Sequence, residues 1–374
     1  MRYLPLLLVL GLGCTNGAAP PVIVVGHVSD QTRLDKAGEQ AELGIRLALH
    51  ELDKDNALTE MLGGHKIQPR HTDTRGKLDA FEAEAVRLEA INRVVALFGG
   101  LSAKEVSALD HVKTPILTFH GNPVSGAGKN VFYLGMMPNR QGEVLAKVIA
   151  GDAKLRRVVI LVDERLPEAP VVAESFASTF NEARKDAAVI NLRYTKDAKW
   201  GDLIERILNH DAQVVVFAGL ADDFNVWHRN LRHAPFTNIP EVIFAGPDGS
   251  QRGFDVELGE KQSVLLATAL NPDSTVEKGA SFRKAFREAF QSDADVHAAL
   301  AYDSFRILAE ALKSIHPQPF TAERLRDELL KTKGFDGVTG PLTITPDRQT
   351  QRPLYVARWR QGSLVPDRKF EATP

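Results

Sequence analysis

A serine and a glutamate three residues apart, Ser102 and Glu105, follow directly on the apolar run 97–101. This spacing is that of a capping box, in which each side chain satisfies a free backbone N–H group at the start of a helix. The exposed N–H groups and the dipole of such a helix start favour an anion. The segment therefore predicts either an anion-binding loop or a serine that only caps its own helix.

A second polar loop follows another apolar run. His120, Gly121 and Asn122 come directly after the run from Ile116 to Phe119. A histidine at such a place can add a hydrogen bond or a pH dependence to ligand binding. The alternative is that His120 simply closes a turn beside the glycine.

An acidic side chain follows the apolar run from Val242 to Ala245 in the sequence Gly246-Pro247-Asp248-Gly249. A carboxylate in a closed, poorly hydrated cleft pairs with a cation much more strongly than one at a surface does. Pro-Asp-Gly is also an ordinary turn sequence. Asp248 is thus a candidate partner for a cationic group, with a plain turn as the alternative.

One sequence pattern, an apolar strand end followed by a glycine-containing loop, occurs twice in the chain. The two copies are Leu97-Phe98-Gly99-Gly100-Leu101 and Val216-Phe217-Ala218-Gly219-Leu220. Open parallel sheets bind ligands at the carboxyl ends of their strands. Two such ends in tandem α/β units predict two half-sites that face one cleft.

Strand and helix patterns alternate along the chain, which predicts right-handed βαβ units in two parallel sheets. The late segments Gly340 to Ile344 and Leu354 to Trp359 are predicted strands that return to sheets already built. The other predicted strands are Pro21 to Val28, Ile67 to Thr72, Val94 to Phe98, Ile116 to Phe119, Arg157 to Asp163, Ala188 to Tyr194, Val214 to Ala218 and Val242 to Ala245. The predicted helices include Ala80 to Ile91, Ala103 to Leu109, Ser281 to Phe290 and His297 to Lys313.

Length and charge set broad limits on function. A chain of 374 residues is long enough for two domains of ordinary size. The net charge is -2 and acidic and basic residues are interspersed, so the sequence shows no basic stretch of the kind that binds nucleic acid. We therefore expect no nucleic-acid partner.

The sequence lacks the signatures of the common enzyme classes. It has no Gly-x-Ser-x-Gly elbow, no phosphate-binding Gly-Lys-Ser/Thr loop and no His-Glu-x-x-His pair. His228 and His233 are five residues apart, which is the wrong spacing for one helical face, and the scatter of histidines and aspartates indicates surface positions. No catalytic residue, metal ligand or cofactor is predicted.

The first residues form a separate segment. Arg2 precedes an apolar run from Tyr3 to Leu12 that is much shorter than the roughly 20 residues of a membrane-spanning helix, so residues 1–13 are predicted to be a signal peptide. The only cysteine, Cys14, follows Gly13 and resembles the lipidated cysteine of bacterial lipoproteins, although Gly11 stands where leucine is usual. A plain secretory signal is the alternative; with lipidation, residues 14–21 form a lipidated tether.

The order and spacing of several landmarks resemble the type I periplasmic solute-binding proteins of the leucine/isoleucine/valine-binding kind. The resemblance covers Val22 to about Leu364. The landmarks are Val25-Gly26-His27-Val28-Ser29, Gly44, Asp73, Phe98-Gly99-Gly100, Phe244-Ala245-Gly246-Pro247-Asp248-Gly249, Ala301-Tyr302-Asp303-Ser304 and Gly340-Pro341-Leu342-Thr343.

The resemblance implies an α/β, two-lobed fold in which each lobe is a parallel sheet flanked by helices and three segments form the hinge. By this order, lobe 1 comprises residues 22–138 plus 271–342, and lobe 2 comprises residues 139–270 plus 343–374.

The resemblance also implies roles for individual residues. The loop at Ser102, Ala103 and Lys104 would hold the carboxylate of an amino acid, assisted by His120, Gly121 and Asn122, and Asp248 would hold its ammonium group. Leu220 stands where relatives stack an aromatic ring on the ligand. Phe119, Phe224 or Trp227 could supply that aromatic cover instead.

The function that the resemblance implies is that of the solute receptor of an ABC importer, anchored by lipid in the bacterial cell envelope. It would bind a small polar solute such as an amino acid or a related amide and deliver it to permease subunits. The alternative is a ligand sensor or envelope adaptor of the same fold that is not coupled to transport.

Overall fold

The computed structural model describes residues 21–33, 36–235, 240–246, 253–254, 258 and 262–371. The predicted signal peptide, Cys14 and Asp248 lie outside these residues.

A first sheet of five parallel strands has the order β2-β1-β3-β4-β5. The four strands that the sequence predicts here are present, and a fifth, very short strand joins them. Its strands are β1 (Val22–Ser29), β2 (Lys66–Asp73), β3 (Ala96–Gly99), β4 (Ile116–Thr118) and β5 (Val131–Tyr133). The intervening helices are α1 (Ala37–Leu52), α2 (Ala57–Met61), α3 (Leu78–Ala90) and α4 (Ala103–Ser107).

A second sheet has the order β15-β14-β10-β9-β8-β6-β7. Five of its strands are parallel, and the two late strands β14 and β15 are antiparallel additions at one side. Its strands are β6 (Arg157–Asp163), β7 (Ala188–Tyr194), β8 (Val214–Ala218), β9 (Glu241–Phe244), β10 (Val264–Thr268), β14 (Leu354–Arg360) and β15 (Ser363–Phe370). Its helices are α5 (Pro138–Ala150), α6 (Glu168–Ala183), α7 (Trp200–Asn209) and α8 (Ala221–Leu231).

The remaining elements follow β10. Helix α10 packs along α1, and Asp295 caps its start by accepting hydrogen bonds from the backbone N–H groups of His297 and Ala298. The elements are α9 (Glu277–Phe290), α10 (Val296–Ile315), α11 (Ala322–Leu329), β11 (Phe335–Gly337), β12 (Gly340–Ile344) and β13 (Thr350–Gln351). The expectation that the strand at Gly340 returns to an earlier sheet is wrong, because β12 pairs with β11 and β13 in a small antiparallel sheet of its own.

A buried polar network joins this small sheet to α10 and to the segment after β5. The carboxylate of Asp303 accepts hydrogen bonds from the backbone N–H groups of Val338 and Thr339, at 2.9 Å each. Arg352 donates to the Thr339 hydroxyl at 3.0 Å and to the Leu134 carbonyl at 2.7 Å. Burial raises the pKa of Asp303 and lowers the pKa of Arg352 to about 10. The network fixes the place where the chain passes from the small sheet to β14.

Candidate functional site

One cavity of about 800 Å³ lies beside the loops that follow the carboxyl ends of β3 and β4 in the first sheet. Its walls include Ala103, Lys104, His120 and Asn122 from the loops after β3 and β4. Pro167, directly before α6 on the second sheet, also lines it. The structure therefore brings four of the predicted site residues together, with Pro167 as their neighbour from the second-sheet side.

The capping box at the start of α4 is confirmed. The Ser102 hydroxyl accepts a hydrogen bond from the Glu105 N–H group at 3.3 Å. The Glu105 carboxylate in turn accepts from the N–H groups of Leu101 at 2.8 Å and Ser102 at 3.0 Å. These N–H groups are thus satisfied by the chain's own glutamate. A role of the Ser102 loop in solute binding stays a prediction, and Glu105 competes with any anion for these donors.

The path from β3 into α4 depends on Gly99. Its φ angle is 145°, and a Cβ atom there would lie 2.3 Å from the Val28 carbonyl oxygen. Both facts exclude a side chain, because L-residues avoid this φ range and the neighbouring atom is backbone. The close approach of β1 to this loop thus explains why the landmark Phe98-Gly99-Gly100 has a glycine at position 99.

His120 is buried in the cavity wall, with 3% of its surface exposed. Its backbone N–H donates to the Gly100 carbonyl at 3.2 Å, but its Nε2 atom has no hydrogen-bond partner among the described residues. Burial lowers the pKa of His120 to about 4, so the imidazole is neutral near pH 7. A buried polar atom without a partner costs about 1–3 kcal/mol, which a suitable ligand group can recover.

The expectation that the histidines occupy surface positions is wrong for several of them. His27, His120, His228 and His297 are all buried. A single polar residue within an apolar element can be buried, and the spacing between polar residues in the sequence does not show this.

Gly121 and Asn122 serve the loop in different ways. A Cβ atom at Gly121 would lie 1.8 Å from the Met136 carbonyl oxygen, so the glycine allows two backbone segments to touch. Asn122 is half-buried and lines the cavity.

None of the three rings that were predicted as aromatic cover lines the cavity. Phe224 and Trp227 are completely buried, and Phe119 is 3% exposed and stacks on Phe98. Phe224 and Trp227 belong to the core behind the second sheet, where they contact Phe217. Leu220 is half-buried and directly precedes α8.

A cluster of charged side chains on the second sheet was not predicted from the sequence. Arg165 donates from Nε to Asp163 at 2.8 Å and from Nη2 to the same carboxylate at 2.6 Å, and Nη2 also donates to Asp223. The arginine lies 6.0 Å from the ring centre of Tyr194. Hydrogen bonding to Asp163 raises the pKa of Arg165, and burial raises that of Asp223. Since Asp163 and Asp223 are 60 residues apart, only the fold brings them together.

The described part of the chain holds neither a metal-binding cluster nor a membrane-spanning helix. Within the described ranges, no three His, Cys, Asp or Glu side chains come close enough together to hold a metal ion. None of the helices in the described part of the chain has the length and hydrophobicity of a membrane span.

A sequence model of the periplasmic binding proteins matches residues 22–363. The chain belongs to the periplasmic binding protein family. Its fold is the type I fold of the leucine-binding proteins, as the landmarks predict, and the two-lobed α/β architecture is confirmed. No curated protein matches this binding protein in overall sequence.

Solved structures of low sequence identity share the fold of this periplasmic binding protein. The leucine binding protein LivK from Thermotoga maritima is 19% identical with a TM-score of 0.78, covering 93% of this chain and 99% of its own. The Streptococcus pneumoniae protein LivJ, in complex with isoleucine, is 18% identical with a TM-score of 0.76, covering 94% and 100%. A solute binding protein from R. palustris, in complex with 4-hydroxybenzoate, is 15% identical with a TM-score of 0.79, covering 94% and 98%.

Proposed function

We propose that this periplasmic binding protein is the extracytoplasmic solute receptor of an ABC importer and is a binding protein rather than an enzyme. It captures a small polar solute, an amino acid or a related amide, by closing its two lobes. The observation that carries the proposal is the cavity beside the loops after β3 and β4, which Lys104, His120 and Asn122 line, with Pro167 as their neighbour from the second-sheet side.

The proposed lobes are residues 22–138 plus 271–342 and residues 139–270 plus 343–374. The assignment of β1–β5 to one sheet and of β6–β10 with β14 and β15 to the other supports this division. The packing of α10 on α1 supports the return of the chain to lobe 1 after β10.

In the proposed complex, the loops at Ser102, Ala103 and Lys104 and at His120, Gly121 and Asn122 bind the solute from lobe 1. Leu220 and Asp248 approach it from lobe 2. Lys104 is exposed, and the neutral His120 offers a hydrogen bond without a charge.

The proposed partners are permease subunits in the membrane, which the protein reaches by a lipid anchor on Cys14. The solved relatives include complexes with isoleucine and with 4-hydroxybenzoate, so the fold serves more than one solute class. The choice of an amino acid therefore depends on the cleft residues of this chain.

A thermal-shift screen over amino acids, amides, short carboxylates and aromatic acids tests the function. A solute at 100 times its dissociation constant stabilises the protein by about 2.7 kcal/mol, which raises the melting temperature measurably. If Asp248 binds an ammonium group, Asp248→Asn weakens that solute by about 2–5 kcal/mol in calorimetry. Equal affinity of both proteins, with equal melting temperatures of the free forms, would remove Asp248 from the site.

A further inference from the structure

A second cavity, of about 390 Å³, lies where the chain passes between the two sheets, and we call it the crossing cavity. Part of its wall is the start of α5, at Met137, Asn139 and Arg140, directly after the chain has left the first sheet. Another part is the segment from Thr345 to Leu354, which leads from β12 through β13 to β14. Among the described residues, the crossing cavity shares none of its lining with the cavity at His120.

The start of α5 has hydrogen-bond donors that the fold does not use. The helix is 13 residues long, and Met137 at its N-cap position has a side chain that accepts no hydrogen bond from the backbone. The first N–H group to find an acceptor is that of Gln141, which donates to the Met137 carbonyl at 3.0 Å. Those of Asn139 and Arg140 have no acceptor within the described ranges. Free N–H groups at a helix start and the helix dipole together favour an anion.

Arg352, in the wall of the same cavity, is an independent sign of a ligand. The residue is only 6% exposed, and its Nε atom has no hydrogen-bond partner among the described residues. Its other nitrogens are used by the fold, since Nη1 donates to the Thr339 hydroxyl at 3.0 Å and Nη2 donates to the Leu134 carbonyl at 2.7 Å. A buried donor without a partner is unfavourable, and a charged one more so, which a bound acceptor would correct.

The positive charge of Arg352 is poorly balanced by its surroundings. All of the oxygen atoms to which it donates are neutral, and its link to the carboxylate of Asp303 runs through the Thr339 hydroxyl, which donates to Asp303 at 2.6 Å. Burial lowers the pKa of Arg352 to about 10. An anion beside the guanidinium group would stabilise its charged form.

Two carboxylates also line the crossing cavity, but neither balances this charge. Both oxygens of Glu143 accept hydrogen bonds from other cations, one from Arg140 and one from Lys147. Asp347 is exposed, so water screens its charge. The other polar side chains of the wall are uncharged and can donate to a ligand; they are Asn139, Thr345, Gln349, Thr350 and Gln351.

We propose that the crossing cavity binds a small oxyanion, held by the free N–H groups of Asn139 and Arg140 and by Nε of Arg352. Inorganic phosphate and a small carboxylate share the required chemistry, which is a compact group of oxygens that accepts from several N–H donors at once. The bound oxyanion joins the start of α5 to the segment that leads into β14. This site is additional to the solute cavity and does not depend on the proposed receptor function.

Isothermal titration calorimetry on the purified full chain tests the site. The probes are inorganic phosphate and acetate, each titrated at constant ionic strength against chloride in a buffer that contains no other oxyanion. Asn139→Asp places a carboxylate at an exposed residue of the first turn of α5, where a negative side chain also favours the helix itself. Gln351→Glu adds a carboxylate to the other part of the wall.

The matched control is Asn181→Asp, which adds the same charge at an exposed residue in the last turn of α6, outside the crossing cavity. Melting curves of the free proteins show whether each variant is folded. Substitution of Arg352 is a poorer test, because it also removes the hydrogen bonds to Thr339 and Leu134 that the fold itself uses.

We expect phosphate or acetate to bind the wild type at one site and to raise its melting temperature. Asn139→Asp and Gln351→Glu lower the affinity about tenfold or more, because each brings a like charge into the cavity. Asn181→Asp changes the affinity less than about twofold, since exposed charges at a distance are screened. Tighter binding of phosphate identifies an inorganic oxyanion as the ligand, and tighter binding of acetate identifies a carboxylate.

The other outcomes overturn the inference. Neither probe may bind the wild type, or both Asn139→Asp and Gln351→Glu may bind as tightly as the wild type, which would place the anion elsewhere. An equal loss of affinity in Asn139→Asp and Asn181→Asp would be an effect of overall charge. A melting temperature that rises alike in all four proteins, without saturable heat of binding, would reflect the general exclusion of such salts from protein surfaces.

Discussion

At the scale of single residues, Gly121 is the most constrained member of the candidate site. Its missing side chain allows the loop after β4 to touch the Met136 backbone, since a Cβ atom at this position would lie only 1.8 Å from that carbonyl oxygen. Gly121→Ala must move backbone rather than a flexible side chain, so we expect a loss of about 1–3 kcal/mol in the free energy of unfolding. We also expect weaker solute binding, because His120 and Asn122 are its neighbours.

A second glycine offers a matched control. Gly201 lies in the first turn of α7 and is exposed, and a Cβ atom added to it would meet no atom within 4 Å beyond its chain neighbours and the nearby backbone of its own helix. Gly201→Ala should therefore leave solute binding unchanged and stabilise the fold by up to about 1 kcal/mol. Denaturant unfolding of both variants checks this, and equal stability of Gly121→Ala and the wild type would contradict the packing argument.

Residue types alone are enough to place part of the candidate site. The loops at Lys104 and His120 are recognisable because they follow apolar runs, and the structure brings them into one cavity. Arg165 was missed, because a charged residue in a turn is usually solvated and its partner Asp223 is 58 residues away. Sequence spacing detects contacts within an element, whereas this contact exists only after the sheet has formed.

At the scale of elements, a histidine pair on the first two strands makes the stability of the fold depend on pH. His27 on β1 and His71 on β2 lie side by side with their Nδ1 atoms 3.0 Å apart. Burial, followed by the charge of His71, lowers the pKa of His27 to about 3. The unfolded chain binds the proton near pH 6.5, so this contribution to stability is complete above that pH and is lost as the pH falls toward 3.

We expect the free energy of unfolding to fall by about 3 kcal/mol per such histidine between pH 7.5 and pH 4.5. His120 and His228, each with a pKa lowered to about 4 by burial, add losses of similar size in the same direction. Urea unfolding at both pH values measures the difference, and His27→Gln should reduce it. An unchanged slope in His27→Gln would contradict the assignment.

Several strands with a strong apolar pattern were predicted at their full length, but the buried strand β10 was missed, as were the weakly patterned β5 and β15. The predicted strands at 157–163, 188–194 and 214–218 agree with β6, β7 and β8 at both ends. Strand β5 was missed because three residues are too few to show a period, and β15 because it is largely exposed and contains Pro366. Its place at the outside of the sheet explains both features.

At the scale of the whole molecule, the first prediction concerns location. If Cys14 is lipidated, each buried methylene of its acyl chains contributes about 0.8 kcal/mol to membrane binding, so two or more chains hold the protein on the membrane. Cys14→Ser should then appear in the soluble fraction or remain unprocessed. Fractionation and mass spectrometry of the mature protein check this, and a soluble wild type with an unmodified Cys14 would show that the segment is a plain secretory signal.

Closure of the two lobes is the prediction that involves the entire chain. A solute that contacts both sheets favours the closed state by its difference in affinity for the closed and open forms, so it shifts the population toward a more compact molecule. Small-angle scattering at saturating solute should therefore give a smaller radius of gyration than scattering of the free protein. A ligand that binds the open and closed forms equally cannot shift their equilibrium. A wild-type radius of gyration that stays constant at saturating solute would therefore mean that the solute binds to one lobe alone or that the protein is a rigid adaptor.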